Sequence, residues 1–164
     1  MGFIYKNPFH LTFIIINIFL KGHIMSKEVK LHYFLGRGRA ETTRWMLAIN
    51  QISFNNIPIT TPEDLIELRG SGKLPFDQMP LLEINGMNLS QSSGMIRYLA
   101  RIGGFYGDND KEALYCDMFA GAITDFAEAS MQAAFQPSNE IAVKMLEERF
   151  NKFAPKFELR IKEN

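Results

Sequence analysis

The sequence predicts an α/β domain with a small mixed sheet, followed by an all-helical segment. Three observations carry this. Apolar runs alternate with helical patterns as far as about residue 104, an Asn-Gly hairpin signal interrupts that alternation at residues 85 and 86, and beyond a Gly-rich break at Gly103-Gly104 the periodicity is purely helical.

The first 24 residues stand apart from the rest. Phe9 to Leu20 is apolar except for His10, Thr12 and Asn17. At about a dozen residues it falls short of the roughly 20 that span a bilayer, and no small-x-small cleavage pattern follows it. Met25-Ser26-Lys27 reads like a cytosolic start, so residues 1–24 are expected to be an upstream extension, with no stable membrane insertion.

Val29 to Phe34 alternates and then turns continuously apolar, as a strand entering a covered sheet does. Leu35-Gly36-Arg37-Gly38 connects it to a helix over about Arg39–Asn50 carrying Ala40, Trp45, Leu47, Ala48 and Ile49. Ile52–Ile59, rich in β-branched and aromatic residues, is the second strand, with Pro58 near its end. Thr61-Pro62-Glu63-Asp64 supplies a capping residue and a proline at the first helical position, starting a short helix that runs to about Arg69. Pro80 introduces a hairpin of Leu81–Ile84 and Met87–Leu89, because a type I′ turn needs positive φ at both central residues and Asn85-Gly86 tolerates it. Gln91-Ser92-Ser93 then offers a cap to a helix with Met95, Ile96, Leu99 and Ile102 at helical spacing. Such an N-terminus suits a carboxylate or phosphate, though a plain helix cap is the simpler reading of the same residues. Parallel strands joined through helices, with the hairpin adding antiparallel pairing, give a sheet covered on both faces.

Beyond the break, a helix is expected from Glu112 to about Phe135. A second runs from Glu140 to about Phe153, where Pro155 should kink or end it. Two helices with strong apolar faces need a further partner, either another subunit or more chain.

Composition narrows the function. The 164 residues hold 18 Lys plus Arg against 18 Asp plus Glu, so no basic field points to nucleic acid. The single cysteine, Cys116, excludes internal disulfides and cysteine metal clusters and fits a reducing compartment. His10, His23 and His32 show no ligand spacing, and no metal is expected.

Val29-Lys30-Leu31-His32-Tyr33-Phe34 with Gly38-Arg39-Ala40-Glu41, then Gln78-Met79-Pro80-Leu81-Leu82-Glu83, then Gln91-Ser92 with Ile96-Arg97-Tyr98-Leu99, resembles a cytosolic glutathione transferase. The sigma-like, tyrosine-type branch, which includes glutathione-dependent prostaglandin D synthases, is the nearest in pattern. The resemblance runs from about Val29 to the C-terminus. It implies a thioredoxin-like N-terminal domain over about residues 27–104 and an all-α domain from 110 onward, C-terminally incomplete beside the family. It also implies a cytoplasmic homodimer, glutathione as co-substrate with no other cofactor, and a small hydrophobic electrophile as partner. Conjugation is the implied reaction, glutathione-dependent isomerisation a variant of it, and a non-catalytic glutathione-binding or structural relative, or a truncated inactive product, the alternative.

Site roles follow from the resemblance residue by residue. Tyr33 matches the catalytic tyrosine that donates to the thiolate, where a core strand tyrosine is the bland alternative. Arg39 matches an arginine that assists ionisation. The Met79 backbone matches the group pairing with the cysteine of glutathione, with Pro80 cis, and Gln91 and Ser92 match the pair holding the γ-glutamyl carboxylate. Asp125 matches an acidic residue reaching the γ-glutamyl amine across the dimer interface; alone it would read as a solvated helix charge. Leu65 stands where the branch usually has a tryptophan at the glycine end of glutathione, Arg69 where it has a lysine, and Gln78 where lysine or glutamine is common. A dinucleotide reading of Gly36-Arg37-Gly38 fails because Glu41 occupies the place of the third glycine.

Overall fold

A computed structural model describes residues 28–133 and 135–163; the expected extension at residues 1–24 lies outside the described residues. These fall into two compact units that meet in sequence between Gly103 and Gly104.

The first unit is a thioredoxin-like α/β domain. In chain order it comprises β1 (Lys30–Phe34), a 3-10 turn (Gly38–Ala40), α1 (Glu41–Ile49), β2 (Asn55–Ile59), α2 (Pro62–Gly70), β3 (Leu81–Ile84), β4 (Met87–Leu89) and α3 (Ser92–Gly103). The sheet order is β2-β1-β3-β4. β1 and β2 run parallel with Lys30 opposite Asn55, while β3 is antiparallel to both β1 and β4, with Leu31 opposite Leu82 and Ile84 opposite Met87. The hairpin turn takes the expected form, with φ of 52° at Asn85 and 77° at Gly86.

Strand alternation divides the core into two layers. On one face Val29, Leu31, Leu82 and Ile84 pack with Leu47 of α1 and Met95 and Leu99 of α3; on the other Leu81 and Ile59 pack with Leu68 of α2 and Leu74. The second face also carries an ionic cluster. His32 Nε2 lies 2.7 Å from Glu83 Oε1, and Lys73 Nζ donates to both Glu83 oxygens at 3.2 and 2.9 Å. Burial works to raise the Glu83 carboxyl, but the hydrogen bonds from Lys73 and His32 outweigh it and hold the group below its ordinary value.

Two elements of this unit differ from the sequence reading. The second strand starts at Asn55 rather than Ile52, because pairing with β1 begins where Lys30 meets Asn55; Ile52 and Phe54 pack on the core from the preceding loop instead. In α1, Leu47 and Thr43 are the buried residues, whereas Trp45 stands 64% exposed and its Nε1 donates to Glu41 one turn back at 3.2 Å.

The second unit is helical: α4 (Asp110–Ala133) and α5 (Asn139–Glu163). Asn109 caps α4 by accepting the Glu112 N–H at 3.1 Å, which moves the start ahead of the expected Glu112. The expectation that Pro155 would kink or end the last helix is overturned as to the ending, because α5 continues through it to Glu163. A proline forfeits one backbone hydrogen bond, to the carbonyl four residues earlier. Aromatic packing on both sides of Pro155 offsets that loss: Phe153 lies 5.9 Å from Phe126, and Phe157 lies 5.7 Å from Phe119 and 5.8 Å from Phe153, ring centre to ring centre.

Candidate active site

Four chain segments of the first unit meet around one cleft of about 480 Å³. The end of β1 brings Tyr33, half-buried, its ring edge-on to Phe34 with centroids 5.5 Å apart. Its Oη accepts the backbone N–H of Arg39 at 3.1 Å. That bond leaves the tyrosine hydrogen available for donation and polarises the O–H toward it.

The close approach of Tyr33 depends on Gly38. This residue has φ of +40°, and a Cβ built on it would lie 2.6 Å from Tyr33 Oη and 3.0 Å from its Cε1. Only glycine leaves that space. The loop is held from the far side by Arg44, whose Nη1 donates to the carbonyl of Gly36 at 3.0 Å and to Glu41 Oε2 at 2.9 Å, while its Nε donates to Asn56 Oδ1 at 2.9 Å. The Arg44 guanidinium, then the Trp45 indole, lower the Glu41 carboxyl from its ordinary value, so the carboxylate needed for this clamp is favoured.

The loop entering β3 supplies Gln78, Met79 and Pro80, the last buried and joined to Met79 by a cis peptide, as the resemblance implies. The start of α3 supplies Gln91 and Ser92. Gln91 has φ of 67°, its carbonyl accepts the N–H groups of Gly94 and Met95, and its Nε2 donates to Gln78 Oε1 at 2.8 Å. Ser92 is the first residue of the helix, so its flank of the cleft carries the positive end of the α3 dipole. From α2 come Leu65 and Arg69. That helix is fixed by a capping box in which Asp64 N–H donates to Thr61 Oγ1 at 3.1 Å and Asp64 Oδ2 accepts from Thr60 and Thr61 N–H at 2.8 and 2.9 Å.

Tyr33, Arg39, Leu65, Arg69, Gln78, Met79, Pro80, Gln91 and Ser92 therefore lie on one cleft. Asp125 lies in the second unit, exposed on α4. Two lining residues escaped the sequence reading, Phe34 and Asp77. Asp77 sits in a loop at φ of 52°, and nothing in the local sequence marks it. Among the described residues no group of His, Cys, Asp and Glu is arranged to hold a metal ion, and no helix is long and apolar enough to cross a membrane.

Chemically the cleft offers a polarised phenol, two arginines, a helix N-terminus and the backbone beside a cis proline, which together suit an anionic, peptide-like thiol. Comparison with known proteins agrees with that chemistry. Residues 29–101 match the family model for the N-terminal domain of glutathione S-transferase. Glutathione S-transferase A2 of Bos taurus is 38% identical over 141 residues, covering 84% of this chain and 63% of the relative. Glutathione S-transferase alpha-1 of Rattus norvegicus is 38% identical over the same length, with 84% and 64% covered. The chain thus spans just under two thirds of these relatives' length. Among solved structures, the Nu-class transferase of Haemonchus contortus superposes with a TM-score of 0.72 at 28% identity, covering 84% of this chain and 69% of that one. The prostaglandin synthase D of Nilaparvata lugens gives 0.72 at 28%, covering 84% and 70%. Residues 29–101 are thus similar to the N-terminal domain of the glutathione S-transferase family.

Proposed function

We propose that this chain is a glutathione transferase that lowers the pKa of the glutathione thiol and directs the thiolate at an electrophilic carbon of a small hydrophobic molecule. The single observation that carries the reading is the Tyr33 hydroxyl, open to the cleft and accepting the Arg39 N–H at 3.1 Å. A free thiol of pKa about 8.5 is only about 3% ionised at pH 7. A charge-assisted hydrogen bond of roughly 1.5–3 kcal/mol from the Tyr33 O–H to sulfur lowers that pKa by about one to two units, leaving between about a quarter and three quarters as thiolate. Arg39, as a nearby cation, acts in the same direction. The thiol proton passes to solvent, the sulfur lone pair forms the C–S bond, and a displaced leaving group departs with its bonding pair.

The rest of the cleft positions the tripeptide. The Met79 backbone pairs with its cysteine, Gln91 and Ser92 take the γ-glutamyl carboxylate with Gln78 held beside them, and Leu65 and Arg69 meet its glycine end. Asp125 of a second copy reaches the γ-glutamyl amine, which makes the working form a homodimer. A cytoplasmic location fits the lone cysteine, Cys116. No further cofactor enters this chemistry. Glutathione-dependent isomerisation of the prostaglandin type is the second reading, supported by the structural likeness to the Nilaparvata lugens synthase; it uses the same thiolate.

The test is turnover of an activated aryl halide with glutathione by the full chain and by Tyr33→Phe. A rate for the full chain above the uncatalysed reaction, falling about 10- to 100-fold in the variant, supports the reading. Glutathione binding with no turnover by either protein would replace it with the non-catalytic alternative.

A further inference from the structure

We propose that Lys73 is a positioning residue for Arg69: through its ion pair with Glu83 it holds the last turn of α2 against the sheet, and so sets how strongly the cleft takes the glycine end of the tripeptide. The inference rests on the glutathione reading above, in which Leu65 and Arg69 meet that end.

The C-terminal end of α2 is lightly held. Among the described residues the helix buries one side chain, Leu68, with Leu65 half-buried beside it, and its capping box lies at the opposite end, at Thr61. Arg69 is exposed in the last turn. Residues 71–80 belong to neither helix nor strand, so no regular ladder of backbone hydrogen bonds fixes the chain that follows. An arginine on such a support loses freedom when it grips a carboxylate, and holding its backbone in advance reduces that loss.

A continuous chain of hydrogen bonds supplies the tie. Ser71 N–H donates to the Glu67 carbonyl at 3.0 Å and Ser71 Oγ to the Leu68 carbonyl at 2.6 Å, which closes the helix. Lys73 N–H donates to Ser71 Oγ at 3.3 Å, and Lys73 Nζ reaches both oxygens of Glu83 in β3, at 3.2 and 2.9 Å. Glu83 is braced in turn from β1 by His32 at 2.7 Å; an ionised carboxylate only accepts, so His32 Nε2 is the donor. The far end of the same loop has its own anchors. Pro80 is buried, Met79 packs on the core layer of Leu68 and Leu81, and Gln78 is bonded to Gln91. Releasing Lys73 therefore loosens the end of α2 and leaves the Met79 backbone in place.

Calorimetric titration tests this, with the full chain, Lys73→Met and Lys73→Arg each titrated with S-methylglutathione and with γ-glutamyl-S-methylcysteine, which lacks the glycine. Methionine keeps an apolar stem without the charge. The expected result is an affinity for S-methylglutathione about three- to tenfold lower in Lys73→Met, no loss for the glycine-free ligand, and recovery of most of the affinity in Lys73→Arg, whose guanidinium can also pair with both Glu83 oxygens. A merely structural role for Lys73 would weaken both ligands alike. Equal weakening of both, weakening of neither, or a loss that Lys73→Arg leaves in full overturns the proposal while leaving the glutathione reading intact. Failure of the unsubstituted chain to bind S-methylglutathione overturns both.

Discussion

Replacing Gly38 by alanine probes how the reactive hydroxyl is held. The added Cβ would lie 2.6 Å from Tyr33 Oη and 3.0 Å from Cε1, against an ordinary van der Waals separation of about 3.5 Å. The contact must open by most of an ångström. What it meets is the far end of a side chain rather than backbone, so the tyrosine gives way and the domain survives. Its own cost is the left-handed φ of +40°, about 1–2 kcal/mol for a residue with a Cβ. In a domain of this size that lowers the melting temperature by roughly 4–16 °C. The functional cost is larger in proportion. A hydroxyl moved by that distance loses most of a hydrogen bond to sulfur worth about 1.5–3 kcal/mol, so the bound thiol should titrate about one to two units higher. The assay is thiolate absorbance of bound glutathione against pH, beside a thermal melt. A Gly38→Ala protein that remains folded and ionises the thiol as the unsubstituted chain does would refute the argument that the missing Cβ positions Tyr33.

Two further predictions concern the frame of the site and the second unit. The backbone N–H groups of Thr60 and Thr61 hold the Asp64 carboxyl below its ordinary value, so the folded state binds fewer protons there than the unfolded state. That stability is fully present above the unfolded value near pH 4 and is lost as pH falls through the depressed folded value; Asp64→Asn should flatten the fall in melting temperature across that window, and an unchanged slope would contradict it. Pro155→Ala restores a backbone donor inside α5 and should raise the second unit's resistance to denaturant by about 1–3 kcal/mol, read by far-ultraviolet circular dichroism; an unchanged or lowered resistance would contradict it.

How much of this was legible in the sequence depended on whether a feature is local. The Asn85-Gly86 turn and the Thr61 cap could be read directly, because each is dictated by the φ or the side-chain acceptor of a few consecutive residues. The cleft's assigned residues came from a family pattern, and composition alone named no ligand. Features made by distant segments stayed hidden. Asp77 reaches the cleft because a loop turns at a positive φ, and Gly38 matters because Tyr33, five residues away, folds its ring back over it. Pro155 was read by its local rule, a helix breaker. Contacts from Phe119 and Phe126 on the neighbouring helix outweigh that rule in the folded chain.

The central claim is that Tyr33 makes a thiolate of glutathione in this cleft, and the most direct measurement is the pKa of glutathione bound to the full chain and to Tyr33→Phe. The account predicts a value about one to two units below that of free glutathione for the full chain, returning to near 8.5 in the variant, with binding itself little changed. Glutathione that binds both proteins and titrates identically in them would contradict the claim.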